Sequence, residues 1–355
     1  MKIGIVNDTP MAVELLRRIL ATRPEHQVVW IAGDGEQAVN MCAWQQPDLI
    51  LMDLVMPKVD GVEATRRIMG KTPCPILIVT VDVGASANKV YEAMGYGALD
   101  AVDTPVLVSG DMKRGAVSLM AKIDAIGQRI SQGAYLPSPK VLPRAPVGVS
   151  VPPERTRRER SAGEVPERLI AIGASTGGPA ALATVLRALP VNFSAAVIVV
   201  QHIGEAFANG MAHWLSQQTV LPVRLAEEGD QPRAGQVLVA GTSSHLKFKS
   251  GTTLGYVPEA AEDVHHPSID VFFHSVVRYW RGQAVGVLLT GMGRDGADGL
   301  KAMRDKGYYT IAQDQESSAV YGMPKAAAEL NAAVDVVPVT GIARKLLVCF
   351  SEIKE

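Results

Sequence analysis

The sequence predicts two consecutive α/β units joined by a proline-rich linker, and three observations carry that prediction. Short apolar runs alternate with helix-like stretches through residues 1–126, the alternation restarts at residue 167, and the segment between them has no composition for a core. The 355 residues are 47% apolar and 20% charged, enough for two domains with separate cores. A net charge of -1 gives no global attraction to nucleic acid or to an anionic membrane. No run approaches the roughly 18 apolar residues of a membrane span, and residues 1–6 read as a strand, so a cytoplasmic protein without membrane insertion is expected. Cys42, Cys74 and Cys349 lack metal-ligand spacing and are expected as free, buried or half-buried thiols.

In the first unit, strands are expected at 3–6, 28–32, 49–54, 76–81 and 98–102. Strands joined by crossover helices form a parallel sheet covered on both faces, and such sheets place function at the carboxyl ends of their strands. Those ends carry Asn7-Asp8, Asp53, Thr80 and Asp103-Thr104. Carboxylates gathered at one rim repel each other unless a hard cation neutralises them, so Mg²⁺ held by Asp8, Asp53 and the backbone carbonyl of Val55 is expected. An Asp at a strand end also caps helices, and spacing alone leaves that reading open. Asp53-Leu54-Val55-Met56-Pro57 with Asp60-Gly61 resembles the receiver domain of bacterial response regulators across residues 1 to about 125. The resemblance implies a flavodoxin-like five-stranded fold, phosphorylation at Asp53, Mg²⁺ as its cofactor, and Thr80 and Thr104 as switch positions. Three residues depart from that pattern: Asn7 replaces an acid, Thr104 replaces a lysine, and Ala101 replaces a switching aromatic.

Residues 127–166 are expected as a flexible linker, because Pro137, Pro139, Pro143, Pro146, Pro152 and Pro153 are interspersed with Ser, Gly and charges. Its Arg155, Arg157, Arg158 and Arg160 read as a solvated charge run.

In the second unit, 167–355, strands are expected at 169–173, 195–201, 236–240, 284–290 and 308–312. The first turns through Gly173-Ala174-Ser175-Thr176-Gly177 into a helix, which suits a nucleophile: small neighbours permit a steep bend, and the helix N-terminus offers N–H groups to an oxyanion. A phosphate-binding or capping turn has the same spacing. The second strand delivers His202 to the same rim, with His213, His245, His265, His266 and His274 as competitors and His26 in the first unit. Position favours His202 as base. The fourth strand opens into Thr290-Gly291-Met292-Gly293-Arg294-Asp295-Gly296, where Asp295 would orient the imidazole. The chain order Ser, His, Asp differs from that of ordinary α/β-hydrolases and predicts a different sheet.

These motifs, with Gln201-His202-Ile203 and His266-Pro267-Ser268-Ile269-Asp270, resemble the CheB family of receptor methylesterases over about residues 165–350. The Asn7 and Thr104 variants further resemble its WspF-type branch. The resemblance implies a doubly wound catalytic domain that hydrolyses glutamate 5-O-methyl esters, and deamidates glutamines, on methyl-accepting chemotaxis-type receptors. It implies Ser175, His202 and Asp295 as catalytic residues, backbone N–H groups of Thr176 and Met292 as oxyanion donors, no cofactor for the hydrolysis, and a cognate histidine kinase as phosphodonor. An unphosphorylated receiver is expected to cover the esterase face. A dinucleotide-binding reading fails on the missing G-x-G-x-x-G, and a DNA-binding regulator on the missing basic recognition helix. A non-catalytic adaptor that sequesters a receptor or kinase is the remaining alternative.

Overall fold

The computed structural model describes residues 1–80, 83–105, 112–131, 168–242, 244–258 and 267–351. The first unit runs β1 (Lys2–Val6), α1 (Pro10–Leu20), β2 (Gln27–Ala32), α2 (Gly35–Trp44), β3 (Leu49–Met52), α3 (Gly61–Lys71), β4 (Ile76–Thr80), α4 (Val83–Gly95), β5 (Asp100–Asp103) and α5 (Met112–Ser131). Its five parallel strands are ordered β2-β1-β3-β4-β5. Every residue of β3 and of β4 is buried, as a parallel sheet covered on both faces requires. Helix α2 starts at an Asp34 cap and α3 at an Asp60 cap, each carboxylate accepting an N–H of the first turn.

Helix α5 continues to Ser131, five residues into the segment expected as linker from 127. The reason is its apolar spacing: Leu119, Ile123 and Ile126 are buried against the sheet, and Ile130 extends the stripe by one more turn. The strand expected at 49–54 stops at Met52, which leaves Asp53 in the loop, and the strand expected at 98–102 starts at Asp100. The rest of the expected linker, 132–166, lies outside the described residues, as do His265 and His266.

The second unit runs β6 (Arg168–Ala174), α6 (Gly178–Arg187), β7 (Ala196–Gln201), α7 (Glu205–Gln218), β8 (Val223–Leu225), β9 (Val237–Val239), β10 (His245–Ser250), β11 (Thr253–Val257), α8 (Ile269–Tyr279), β12 (Gln283–Leu288), α9 (Ala297–Asp305), β13 (Tyr309–Gln313), α10 (Met323–Glu329), β14 (Asp335–Val337) and α11 (Val339–Ser351). Seven parallel strands are ordered β14-β13-β12-β6-β7-β9-β8, and β10 and β11 form a separate antiparallel hairpin. From β6 the chain winds outward through β7 to β9 and β8, then returns to β12 on the other side. The crevice between β6 and β12 is therefore the topological switch point, where doubly wound sheets place their sites.

The two units share a packed interface. Tyr91 of α4 stacks on Trp214 of α7, with ring centroids 5.9 Å apart, and its hydroxyl donates to the Phe207 carbonyl at 3.2 Å. Tyr91 is fully buried, and Met94, Met211, Phe207 and Trp214 join one apolar cluster that spans both units. Burying two large aromatic side chains contributes roughly 2 kcal/mol each.

Candidate active site

Ser175 follows β6 directly, and its backbone is fixed on three sides. Its N–H donates to the Thr290 carbonyl at 3.0 Å, and its carbonyl accepts from Gly178 N–H at 2.7 Å and from Gln201 Nε2 at 2.8 Å. Gly177 carries the bend in a left-handed conformation, φ 77°, which an L side chain adopts only with strain. His202 lies beyond the end of the neighbouring β7, and its N–H donates to the Ala174 carbonyl at 3.0 Å, so serine and histidine leave adjacent strands at one level. The loop after β12 closes the third side: a methyl group on Gly291 would stand 2.6 Å from Ser175 Cβ.

His202 Nε2 meets Asp295 Oδ2 at 2.7 Å. The Asp295 carboxylate is embedded at the N-terminus of α8, where it accepts Ile269 N–H at 2.7 Å, Asp270 N–H at 3.0 Å and the Ser268 hydroxyl at 3.0 Å. Burial alone would raise its pKa, but the His202 bond and charge, then the two amides, outweigh it and hold the carboxyl well below the usual range. Asp295 therefore stays ionised. The His202–Asp295 pair closes the carboxylate side of the relay.

Of the competing histidines, His213 and His274 are exposed on α7 and α8, and His26 lies beside Asp124 in the first unit. His245 is buried on β10, its Nδ1 accepting Ser268 N–H at 2.9 Å. Sequence reasoning missed Ser268, Gln201 and Thr290 as supports. The Thr290 hydroxyl donates to the Thr176 carbonyl at 2.9 Å and accepts Val320 N–H at 2.8 Å. Met292 is half-buried in the loop that Gly291 anchors to Val320, and Thr176 is buried beside Ser175.

In the first unit the expected acidic rim assembles. Asp53 is buried, with Oδ1 accepting Leu54 N–H at 2.7 Å and Oδ2 accepting the Asn7 amide at 3.1 Å. Burial raises its pKa and the charge of Asp8 adds to that, against hydrogen bonds from Leu54, Val55 and Thr80. Asp8 and Val55 are exposed at the same rim. Asn7 commits both ends of its amide, since Oδ1 accepts Thr9 N–H at 2.8 Å. Two carboxylates with a carbonyl fit a hard cation, and a charge that Asp53 carries against Asp8 asks for one. Gly61 explains the Asp60-Gly61 pair: a Cβ there would lie 2.0 Å from the Asp53 carbonyl oxygen. Thr104, where the receiver pattern has lysine, is buried, and among the described residues its hydroxyl has no hydrogen-bond partner.

The interface reaches the serine turn. Leu99 carbonyl of the first unit accepts Gly177 N–H at 3.0 Å, and Asp100 Oδ2 accepts the Thr176 hydroxyl at 2.6 Å while Lys122 Nζ holds Asp100 Oδ1 at 2.7 Å.

Fold and site together define a class: a receiver-type unit packed on a doubly wound α/β domain that presents serine, histidine and aspartate at its switch point. Residues 3–109 match the response regulator receiver domain and residues 170–346 match CheB methylesterase. The chain is 55% identical to protein-glutamate methylesterase/protein-glutamine glutaminase 1 of Cupriavidus pinatubonensis, over 98% of this chain and 97% of that protein. It is also 55% identical to protein-glutamate methylesterase/protein-glutamine glutaminase 2 of Pseudomonas syringae pv. syringae, over 99% of this chain and all of that protein. The crystal structure of the Thermotoga maritima CheB methylesterase catalytic domain is 32% identical, covering 51% of this chain and 97% of that one, with a TM-score of 0.49. The chain belongs to the CheB methylesterase family.

Proposed function

We propose that the protein is a receiver-gated protein-glutamate methylesterase, with glutamine deamidation as a second reaction at the same site, acting in the cytoplasm on a methyl-accepting receptor. The observation that carries this reading is the His202–Asp295 pair at 2.7 Å, set on the strand next to the Ser175 turn. Ser175 Oγ attacks the side-chain acyl carbon of the substrate. Because Nε2 of His202 faces Asp295, Nδ1 takes the serine proton and returns it to methanol, or to ammonia from a glutamine. Backbone N–H groups of Thr176 and Met292 take the oxyanion charge. Water then releases the glutamate by the reverse proton transfers.

Gating follows from the interface. The receiver carbonyl of Leu99 occupies a donor of the serine turn, and Asp100 holds the adjacent Thr176, so docking ties down the loop that carries Ser175. Phosphorylation of Asp53 by a histidine kinase shifts the population toward the undocked form. Asp8, Asp53 and the Val55 carbonyl would hold Mg²⁺, which supplies charge neutralisation for phosphoryl transfer. The test is methanol release from a methylated receptor: Ser175→Ala, folded by circular dichroism, is expected to lose all turnover above background. Retained turnover removes the esterase reading.

A further inference from the structure

Three consecutive residues aim donors at one carboxylate. The Ser268 hydroxyl and the Asp270 N–H reach Asp295 Oδ1, both at 3.0 Å, and the Ile269 N–H reaches Oδ2 at 2.7 Å. The direction of the hydroxyl bond is forced: Ser268 Oγ accepts Val271 N–H at 3.3 Å as the cap of α8, and an ionised carboxylate only accepts. Asp295 is therefore placed no better than the turn that carries these donors. That turn is anchored from outside the seven-stranded sheet. Ser268 N–H donates at 2.9 Å to Nδ1 of His245, the first residue of β10, and both residues are buried. The β10–β11 hairpin grips α8 again further along, where Phe248 N–H donates to Ser275 Oγ at 3.0 Å and the Phe248 ring stacks on Phe272 with centroids 6.3 Å apart. A backbone N–H can only donate, so Nδ1 of His245 offers a lone pair and the proton of its neutral ring sits on Nε2.

We propose that His245 is a positioning residue of the esterase site: by accepting Ser268 N–H it sets the 268–270 turn, whose donors hold Asp295 against His202. The proposal deepens the esterase reading and rests on it. It also assigns a task to the hairpin, a sheet of its own that braces the helix behind the orienting carboxylate. His245 acts through the α8 backbone and Asp295, so its loss weakens proton transfer at His202 and leaves binding of the receptor helix in place.

The experiment uses two amide variants of the full-length protein that differ in reach. In His245→Asn the side-chain oxygen falls near the Nδ1 position and can accept Ser268 N–H, whereas in His245→Gln it extends toward the Nε2 position. Both are checked for folding by circular dichroism. Methanol release from a methylated receptor is expected to keep kcat within about threefold of wild type in His245→Asn and to lose about tenfold in His245→Gln, with KM within about twofold in both. The low-field proton resonance of the His202–Asp295 bond is expected to persist in His245→Asn and to weaken in His245→Gln. Nitrogen-15 NMR of the histidine-labelled wild type is expected to show His245 with Nε2 protonated and Nδ1 bare. A protonated Nδ1, a His245→Gln variant with wild-type kcat, or equal losses in the two variants overturns the proposal. The nitrogen spectrum needs neither a variant nor turnover, so it decides even where a substitution prevents folding, and its failure is distinct from failure of the esterase reading, which Ser175→Ala tests.

Discussion

Each domain holds a pair of aspartates at the carboxyl rim of its parallel sheet, and the two pairs are solved electrostatically in opposite ways. In the catalytic domain the Asp295 charge is met from within the chain, by His202, two α8 amides and the Ser268 hydroxyl. In the receiver, Asp53 faces Asp8, amides and Thr80 help it among the described residues, and its carboxyl is pushed up by burial. The difference teaches that proximity of acids does not itself define chemistry. A carboxylate compensated by the protein is a fixed anion suited to orienting a base, whereas an uncompensated one suits an external cation and an incoming phosphoryl group.

Substitutions can break that contrast. The largest effect is expected from Asp295→Asn, which keeps the shape but removes the charge that His202 meets. Methanol release should fall about 10,000-fold, and a fall of less than tenfold would show that His202 is oriented by something else. Next is the interface: Tyr91→Ala deletes the ring stacked on Trp214 and should raise basal turnover several-fold without a phosphodonor, since losing a buried aromatic contact costs about 3 kcal/mol. Unchanged basal turnover in a folded variant argues against gating by docking.

Asp53→Asn should stabilise the receiver, the reverse of the usual result for a charge lost from an ion pair. A folded carboxyl whose pKa is raised loses stability as pH rises from its unfolded value through its folded one, so the relief persists at pH 7 and disappears in acid below both. On the order of 1 kcal/mol is expected, raising the receiver transition by about 3 °C in calorimetry at pH 7 and not at pH 3. A lowered transition at pH 7 contradicts the assignment of Asp53 as an uncompensated charge. The smallest effect is that of Thr104→Lys, which would bring an ammonium to a buried position whose hydroxyl lacks a partner among the described residues. It should lower the Asp53 titration, read by ¹³C-carboxyl NMR, and make the receiver rim resemble the catalytic one; no change means the lysine head turns to solvent.

Much of this was legible in the linear chain. Val-, Ile- and Leu-rich runs such as 49–52 and 196–201 announced central parallel strands, because only a sheet covered on both faces buries consecutive side chains. The short strands β8 and β14 and the β10–β11 hairpin were not legible, since three-residue edges and half-buried alternation leave no long apolar signal. Helix α5 outran its expected end because Ile130 continues a stripe that the linker composition obscured. Glycines in Gly173-x-Ser175-x-Gly177 and Asp60-Gly61 could be read locally, because each answers a constraint set by a sharp bend or a close backbone approach.

Sequence by itself determined the two sheets and the serine turn, because strand and turn chemistry is written within a few neighbouring positions. Tertiary structure alone decided that Nε2 of His202 faces Asp295, that the Asp270 N–H donates to that same carboxyl, and that Leu99 and Asp100 of the receiver grip the serine turn. Those relations join residues 25 to 93 positions apart, and hydrogen-bond direction and electrostatic compensation exist only once the strands that carry them are packed side by side.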